Sequence, residues 1–298
     1  MTERFPKDTA QQRTYRAFAA LLAGEDTAID LAQAALLIAS IEYPGLDMAH
    51  YMSQLDALAR RVRTLLSLPD HDILPQLPPD IDPFAVLDAL NQVLFVEEQF
   101  QGNLTDYHNP DNSFLNRVLD LHTGIPITLS LLYIEVARRV GIQIDGVGLP
   151  YHFVVSYRLP DERIYIDPFE GGQFMTEQEC HDLVRRLMRN KAARLHAHWF
   201  EPVTHRQLLT RVLNNLKQIY IDKEEYQRAL PVCDMMIMLA PQLPFEHRDR
   251  GILYLQSKRY SRALHDLTTY LEMAPEAKDR DEILEHIKTI RQIIAMLN

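Results

Sequence analysis

Hydrophobic residues in the first third of the chain recur with helical spacing. Asp30 to Ile41 is rich in alanine and leucine and predicts a helix that ends at Tyr43-Pro44-Gly45. Met48 to Leu66 predicts a second helix, with Leu55, Leu58, Val62, Leu65 and Leu66 on one stripe. Five prolines between Pro69 and Pro83 predict a connection, and Asp88 to Phe100 returns to a helical pattern. Asn103 to Ser113 is polar and rich in turn formers. Residues 1–25 open on a polar stretch and are expected to be a loose N-terminus.

The middle of the chain changes character. Ile127 to Val140 is apolar on nearly every face, which marks a helix buried in a core and not one lying on a surface. Gly141 stands where a C-terminal capping glycine belongs, and Pro126 stands in the first turn, where proline is tolerated. Ile142–Val147, His152–Leu159 and Arg163–Asp167 predict strands, the last two flanking Pro160-Asp161-Glu162 as a hairpin loop. Thr176-Glu177-Gln178-Glu179 fits a capping box that opens a helix reaching Lys191. A buried helix followed by an antiparallel sheet predicts an α+β domain over residues 26–202.

Residues 203–298 are patterned as helix throughout and repeat themselves. Tyr220 aligns with Tyr254, Tyr226 with Tyr260, Arg228-Ala229-Leu230 with Arg262-Ala263-Leu264, and Ala240-Pro241 with Ala274-Pro275, always 34 residues apart. Seven identities at one offset, with that period, predict two tetratricopeptide-repeat hairpins. Asp281 to Leu297 then serves as a capping helix. Such hairpins present a groove to a peptide or helix. Asn215, Tyr220, Tyr226, Tyr254 and Tyr260 are the expected partner-binding positions.

Composition narrows the function. A net charge of −10 over 298 residues argues against a general nucleic-acid binder. Two distant cysteines, Cys180 and Cys233, make neither a disulfide framework nor a CxxC metal site, so a cytoplasmic setting is expected. The start, MTERFPKDTAQQ, lacks a signal-peptide profile, and the most apolar run contains Glu135, Arg138 and Arg139, so no membrane partner is expected. His196, His198 and His205 cluster in sequence without an acid or thiol partner, and neither metal nor cofactor is expected.

One constellation carries possible chemistry. His152 opens one strand of the hairpin and Asp167 closes the other, which brings them close to facing each other. A carboxylate orienting an imidazole makes up two members of a nucleophile–His–Asp triad. The third member belongs at the N-terminus of the buried helix, where the dipole lowers a thiol pKa.

The run Thr123-Gly124-Ile125-Pro126-Ile127-Thr128-Leu129-Ser130 through Tyr133, together with Val140-Gly141, Val147-Gly148-Leu149-Pro150, His152-Phe153 and Tyr165-Ile166-Asp167-Pro168-Phe169-Glu170-Gly171-Gly172, resembles the transglutaminase-like core. The chain is similar in particular to bacterial proteins that join such a core to C-terminal tetratricopeptide repeats, a group named after a proposed regulator of invasion genes. The resemblance implies a cysteine-protease-like α+β domain with a helical N-terminal part, followed by the all-α repeat region. It also implies catalytic roles for the histidine and aspartate, which match His152 and Asp167. Counting back from Gly141 to the position of the family's cysteine lands on Pro126, which has no nucleophilic side chain. Tyr151 stands where relatives tend to carry glycine, and is expected to narrow or cap the site.

Substitute nucleophiles are few. Thr128 and Ser130 lie in the first turns of the same helix and are expected to satisfy its N-terminus. Cys180 lies beyond the Asp167-Pro168-Phe169 element and is expected to be packed and inert. The leading expectation is a non-catalytic protein-binding or regulatory protein that engages a protein or peptide through its repeats. The rival is a hydrolase or acyltransferase that uses His152 and Asp167 with a non-cysteine nucleophile or an activated water.

Overall fold

Short polar side chains start the N-terminal helices by accepting hydrogen bonds from otherwise unpaired backbone N–H groups. Thr9 opens α1 (Ala10–Leu21) with a capping box, Asp30 opens α2 (Leu31–Ala39), Asp47 opens α3 (Met48–Leu65) and Asp82 opens α4 (Pro83–Asn91). A π-helical turn over Gln92–Glu97 extends α4. Next come β1 (Gln101–Gly102), α5 (Leu115–Leu121), β2 (Thr123–Gly124) and α6 (Pro126–Val140). β3 (Asp145–Val147), β4 (Val154–Arg158), β5 (Arg163–Asp167) and β6 (Gln173–Met175) precede α7 (Glu177–Leu187). The remainder is α8 (His205–Asp222), α9 (Tyr226–Leu239), α10 (Pro244–Gln256), α11 (Tyr260–Met273) and α12 (Arg280–Leu297).

This computed structural model describes residues 9–69, 77–78, 80–190 and 192–297. Most of the proline-rich connection therefore lies outside the described residues. Two units emerge: Gly24–Val212, and Met1–Ala23 together with Leu213–Asn298. Among the described residues, no helix is long and apolar enough to cross a membrane.

In the first unit every residue of α6 except Arg138 is buried, as its unbroken apolar pattern predicts. α3 and α2 pack on it, as do β3 and β4. Two charges are buried within α6. Glu135 and Arg139 pair one turn apart, and Arg139 Nε donates to Asp56 at 2.8 Å, so neither charge is left uncompensated. Gly141 ends the helix at φ +106°. The sheet is antiparallel in the order β3-β4-β5-β6, with Val155 opposite Ile166 and Arg158 opposite Arg163. Leu159 N–H donates to the Glu162 carbonyl at 2.9 Å and closes the expected hairpin. Strand β4 begins later than the pattern predicts because Leu149–His152 forms a turn before it, and β3 starts at Asp145 instead of Ile142. α5 and β6, at seven and three residues, are short elements that the periodicity did not reveal.

The second unit corrects the expected loose N-terminus. Residues Ala10–Leu21 are helical, Phe18 is fully buried, and Tyr15 donates its hydroxyl to Asp234 of α9 at 3.0 Å. The repeat helices are tied by charge as well as by apolar packing. Lys217 Nζ bonds Glu246 at 2.9 Å and Asp249 at 2.8 Å, and Arg250 bridges Asp234 and Asp266 at 2.7 Å each. Gly251 lets α10 approach α11: a Cβ there would stand 2.8 Å from Leu267 Cδ2 and 3.2 Å from its backbone nitrogen. Gly251→Ala should therefore cost about 1–3 kcal/mol in urea unfolding. Gly24→Ala, whose added carbon would meet only Ala28 at 3.8 Å, should change stability little.

Candidate functional site

The site is assembled by a turn and a carboxylate. Leu149, Pro150, Tyr151 and His152 form a turn in which His152 N–H donates to the Leu149 carbonyl at 3.1 Å. Proline second and a positive-φ residue third is the type II pattern. Tyr151 holds that third position at φ +62°, which explains why glycine suits it. The turn delivers the His152 ring to Asp167 at the end of β5, with Nε2 2.7 Å from Oδ2. Both residues are buried. Because the carboxylate can only accept, Nε2 carries a proton toward it, and in the neutral ring Nδ1 is then the acceptor. Nδ1 has no hydrogen-bond partner among the described residues.

Asp167 is itself held in place. Its Oδ1 accepts from Phe169 N–H at 3.0 Å and Glu170 N–H at 3.4 Å, and its carbonyl accepts from Gly172 N–H at 2.8 Å. Asn91, at the end of α4, donates to the Gly172 carbonyl at 2.9 Å. Gly172 has φ +80°, and a Cβ there would come within 2.3 Å of Asn91 Oδ1. The two glycines of Asp167-Pro168-Phe169-Glu170-Gly171-Gly172 thus let the chain double back beneath the carboxylate against α4.

At the start of α6 the expected substitutes are occupied. Pro126 is buried in the first turn. Thr128 Oγ1 donates to the Asn112 carbonyl at 2.6 Å and accepts from Ile125 N–H at 3.2 Å. Ser130 is fully buried, its Oγ 3.5 Å from the Phe153 carbonyl. Cys180 sits in an apolar cluster with Val147, Leu149, Val154, Tyr165 and Val184. Burial first, and the nearby Asp167 charge second, push its thiol up to about 12. It is therefore a poor nucleophile.

Other expectations are met differently. Tyr151 does not cap the site: its side chain is 74 % exposed and covers little. Tyr220 and Tyr254 are buried, so the expectation that they contact a partner is corrected; they fill the space between repeat helices. Asn215, Tyr226 and Tyr260 are half-buried. The rings of His196 and His198 lie 5.5 Å apart, whereas His205 Nδ1 bonds the Ile29 carbonyl at 2.9 Å. No group of three or more histidine, cysteine, aspartate or glutamate side chains is placed to hold a metal among the described residues.

Two residues at the site were not identified from sequence. Asn91 is one; a double glycine signals close approach of another segment but does not say which. Arg211 of α8 is the other. Its Nη2 donates to the Leu149 carbonyl at 3.1 Å and the His152 carbonyl at 3.0 Å, pinning both ends of the turn. In sequence it is one more charge on a helix.

Comparison with known proteins places the two regions of the chain in known families. A model of the transglutaminase-like superfamily matches residues 49–214, and a tetratricopeptide-repeat model matches residues 216–288. A UPF0162 protein of Xylella fastidiosa (strain Temecula1) is 34% identical over 265 residues, which span 88% of this chain and 90% of the relative. F-box only protein 21 of Mus musculus is 34% identical over 187 residues, or 59% of this chain and 28% of that protein. Among solved structures, a crystal structure of menin aligns with 96% of this chain and 75% of its own at 13% identity and a TM-score of 0.37. The chain belongs to the transglutaminase-like superfamily and carries tetratricopeptide repeats after its core.

Proposed function

We propose that this chain is a non-catalytic protein-binding or regulatory protein, in which the transglutaminase-like core is a scaffold and the repeats hold a protein or peptide. One observation carries the reading: the N-terminus of α6 offers Pro126 where acyl transfer needs a nucleophile. The neighbouring groups support it. Thr128 is committed to backbone partners, Ser130 is sealed, and the Cys180 thiol is buried with its pKa raised. Partner binding falls to the repeat unit, where Asn215, Tyr226 and Tyr260 keep partial exposure. Two free, buried cysteines accord with a reducing, cytoplasmic setting.

A second reading has its own observation. The His152–Asp167 pair is intact at 2.7 Å with Nδ1 unpartnered among the described residues, as a hydrolase or acyltransferase using an activated water would need. Turnover of an ester or amide that is lost in His152→Ala would establish this second reading, while thiol trapping tests Cys180 alone. Iodoacetamide near neutral pH is expected to leave native Cys180 unlabelled and to label it fully once the chain is unfolded. Stoichiometric labelling of the native thiol, coupled to turnover of an ester or amide, would sink the non-catalytic reading.

The same burial predicts a pH dependence. Cys180 is raised from 9.0 to about 12 and Tyr165 from 10.0 to about 12, each chiefly by burial. The fold holds both acids neutral, and unfolding frees them to ionise at their ordinary values. The stability they contribute is therefore complete below pH 9 and is lost as pH rises toward 12. Urea midpoints should be level up to that point and fall beyond it. Finally, His152→Ala should leave partner capture by the repeats unchanged if the core is a scaffold. Lost capture with normal far-UV circular dichroism would contradict that.

A further inference from the structure

Three features beside the His152–Asp167 pair offer more than their part in the fold requires. The first is a rigid loop that shows apolar side chains to water. Asn103 Nδ2 donates to Asn112 Oδ1 at 3.0 Å, and Asn103 Oδ1 accepts from Asp106 N–H at 2.9 Å. Asn112 Nδ2 donates to the Asp106 carbonyl at 2.7 Å, and the Asn112 carbonyl takes the Thr128 hydroxyl at the start of α6. So braced, the loop exposes Leu104 at 78 % and Tyr107 at 39 %. Tyr107 packs edge-on to Phe169, and Phe169 edge-on to His152, with centroids 6.3 and 6.0 Å apart. Apolar groups shown to water on a preorganised segment mark a contact surface.

The second feature is Tyr151. A non-glycine residue in the left-handed region costs about 1–2 kcal/mol, and here the ring gains almost no burial in return. Strain of this kind, next to a site, points to use.

The third is an uncompensated cation. Arg117, Arg138, Arg139 and Arg163 of the same unit each pair with a carboxylate. Arg211 pairs with none among the described residues, in a chain of net charge −10. Its Nη2 serves both turn carbonyls, which leaves Nη1 and Nε without partners among the described residues. Its field also reaches the Tyr107 phenol: burial pushes that group up, and Arg211 draws it part of the way down.

We infer that this surface docks a peptide ending in a bulky apolar residue with a free α-carboxylate. Arg211 pairs with the carboxylate, the last peptide N–H donates to His152 Nδ1, and Leu104, Tyr107 and Tyr151 hold the apolar side chain. Each element answers a gap: an unpaired cation, an unused acceptor, and an exposed apolar rim. A carboxylate is favoured over a neutral end because a forked guanidinium binds it with two charge-assisted bonds. The inference concerns the core and not the repeats, so its failure would leave the repeat-based reading standing.

The test titrates the full chain with acetyl-Ala-Ala-Leu as the free acid and as its C-terminal amide, by calorimetry or by the His152 ring resonances. The acid should bind, and the amide should bind about tenfold more weakly or worse. Arg211→Gln should reduce the acid to the level of the amide. Leu104→Ser, at an exposed position that leaves the fold intact, should weaken both. Equal affinity for acid and amide, no saturable binding of the acid, or full affinity in Leu104→Ser would overturn the inference. Should Arg211→Gln fail to fold, the acid–amide comparison on the unmodified chain and Leu104→Ser still decide.

Discussion

The Asp167 carboxylate is the contact on which the core most depends. One oxygen holds the His152 ring, the other collects two N–H groups of the turn that follows β5, and the residue's own carbonyl returns to Gly172. A buried anion is tolerated only when its lone pairs are met, and here they are met from three directions. Each such bond to a charged group is worth about 1.5–3 kcal/mol. The pair therefore has sufficient structural cause without chemistry: remove it, and β4, β5 and the double-glycine turn lose the group that joins them. This separates orientation from catalysis. The dyad orients an imidazole, and acyl transfer needs a nucleophile besides.

The other end of the site is governed by α6. A helix N-terminus with a dipole and free N–H groups is a place to activate a thiol. In this chain the position is filled by proline, and the adjacent hydroxyl of Thr128 is turned to the loop carbonyl of Asn112. The helix end at which the family's nucleophile is expected here fastens the loop that ends at Asn112. Arg211 and Asn91 brace the surroundings of the dyad in the same way. Both act on backbone carbonyls around the dyad, one at the His152 turn and one at Gly172.

Much of the architecture was legible because it rests on local rules. Pro126 and Gly141 bracket a helix whose apolar face runs all round, and it is the buried centre of the core. The repeat was legible from identities at one offset, and its helices start at Tyr226 and Tyr260 as that offset requires. What escaped depends on tertiary context. α1 begins in polar sequence and is held by tertiary contacts, among them buried Phe18 and the hydrogen bond from Tyr15 to the distant Asp234. Tyr220 and Tyr254 announced themselves by position, but periodicity does not say whether a ring faces a partner or a neighbouring helix; burial does. Tyr151 showed the converse: its place in a glycine position was plain, whereas its exposure followed from a backbone turn that no pattern announces.

The central claim is that this core keeps a competent His–Asp pair and lacks only its nucleophile. The most direct measurement installs one. In Pro126→Cys, the rate of iodoacetamide alkylation is followed against pH, alone and combined with His152→Ala, over the buried and unreactive Cys180 and Cys233. A helix-terminal thiol paired with the oriented imidazole should react near neutral pH at least about tenfold faster than an ordinary cysteine. That advantage should vanish with His152→Ala. An installed thiol with ordinary reactivity, indifferent to His152, would contradict the account.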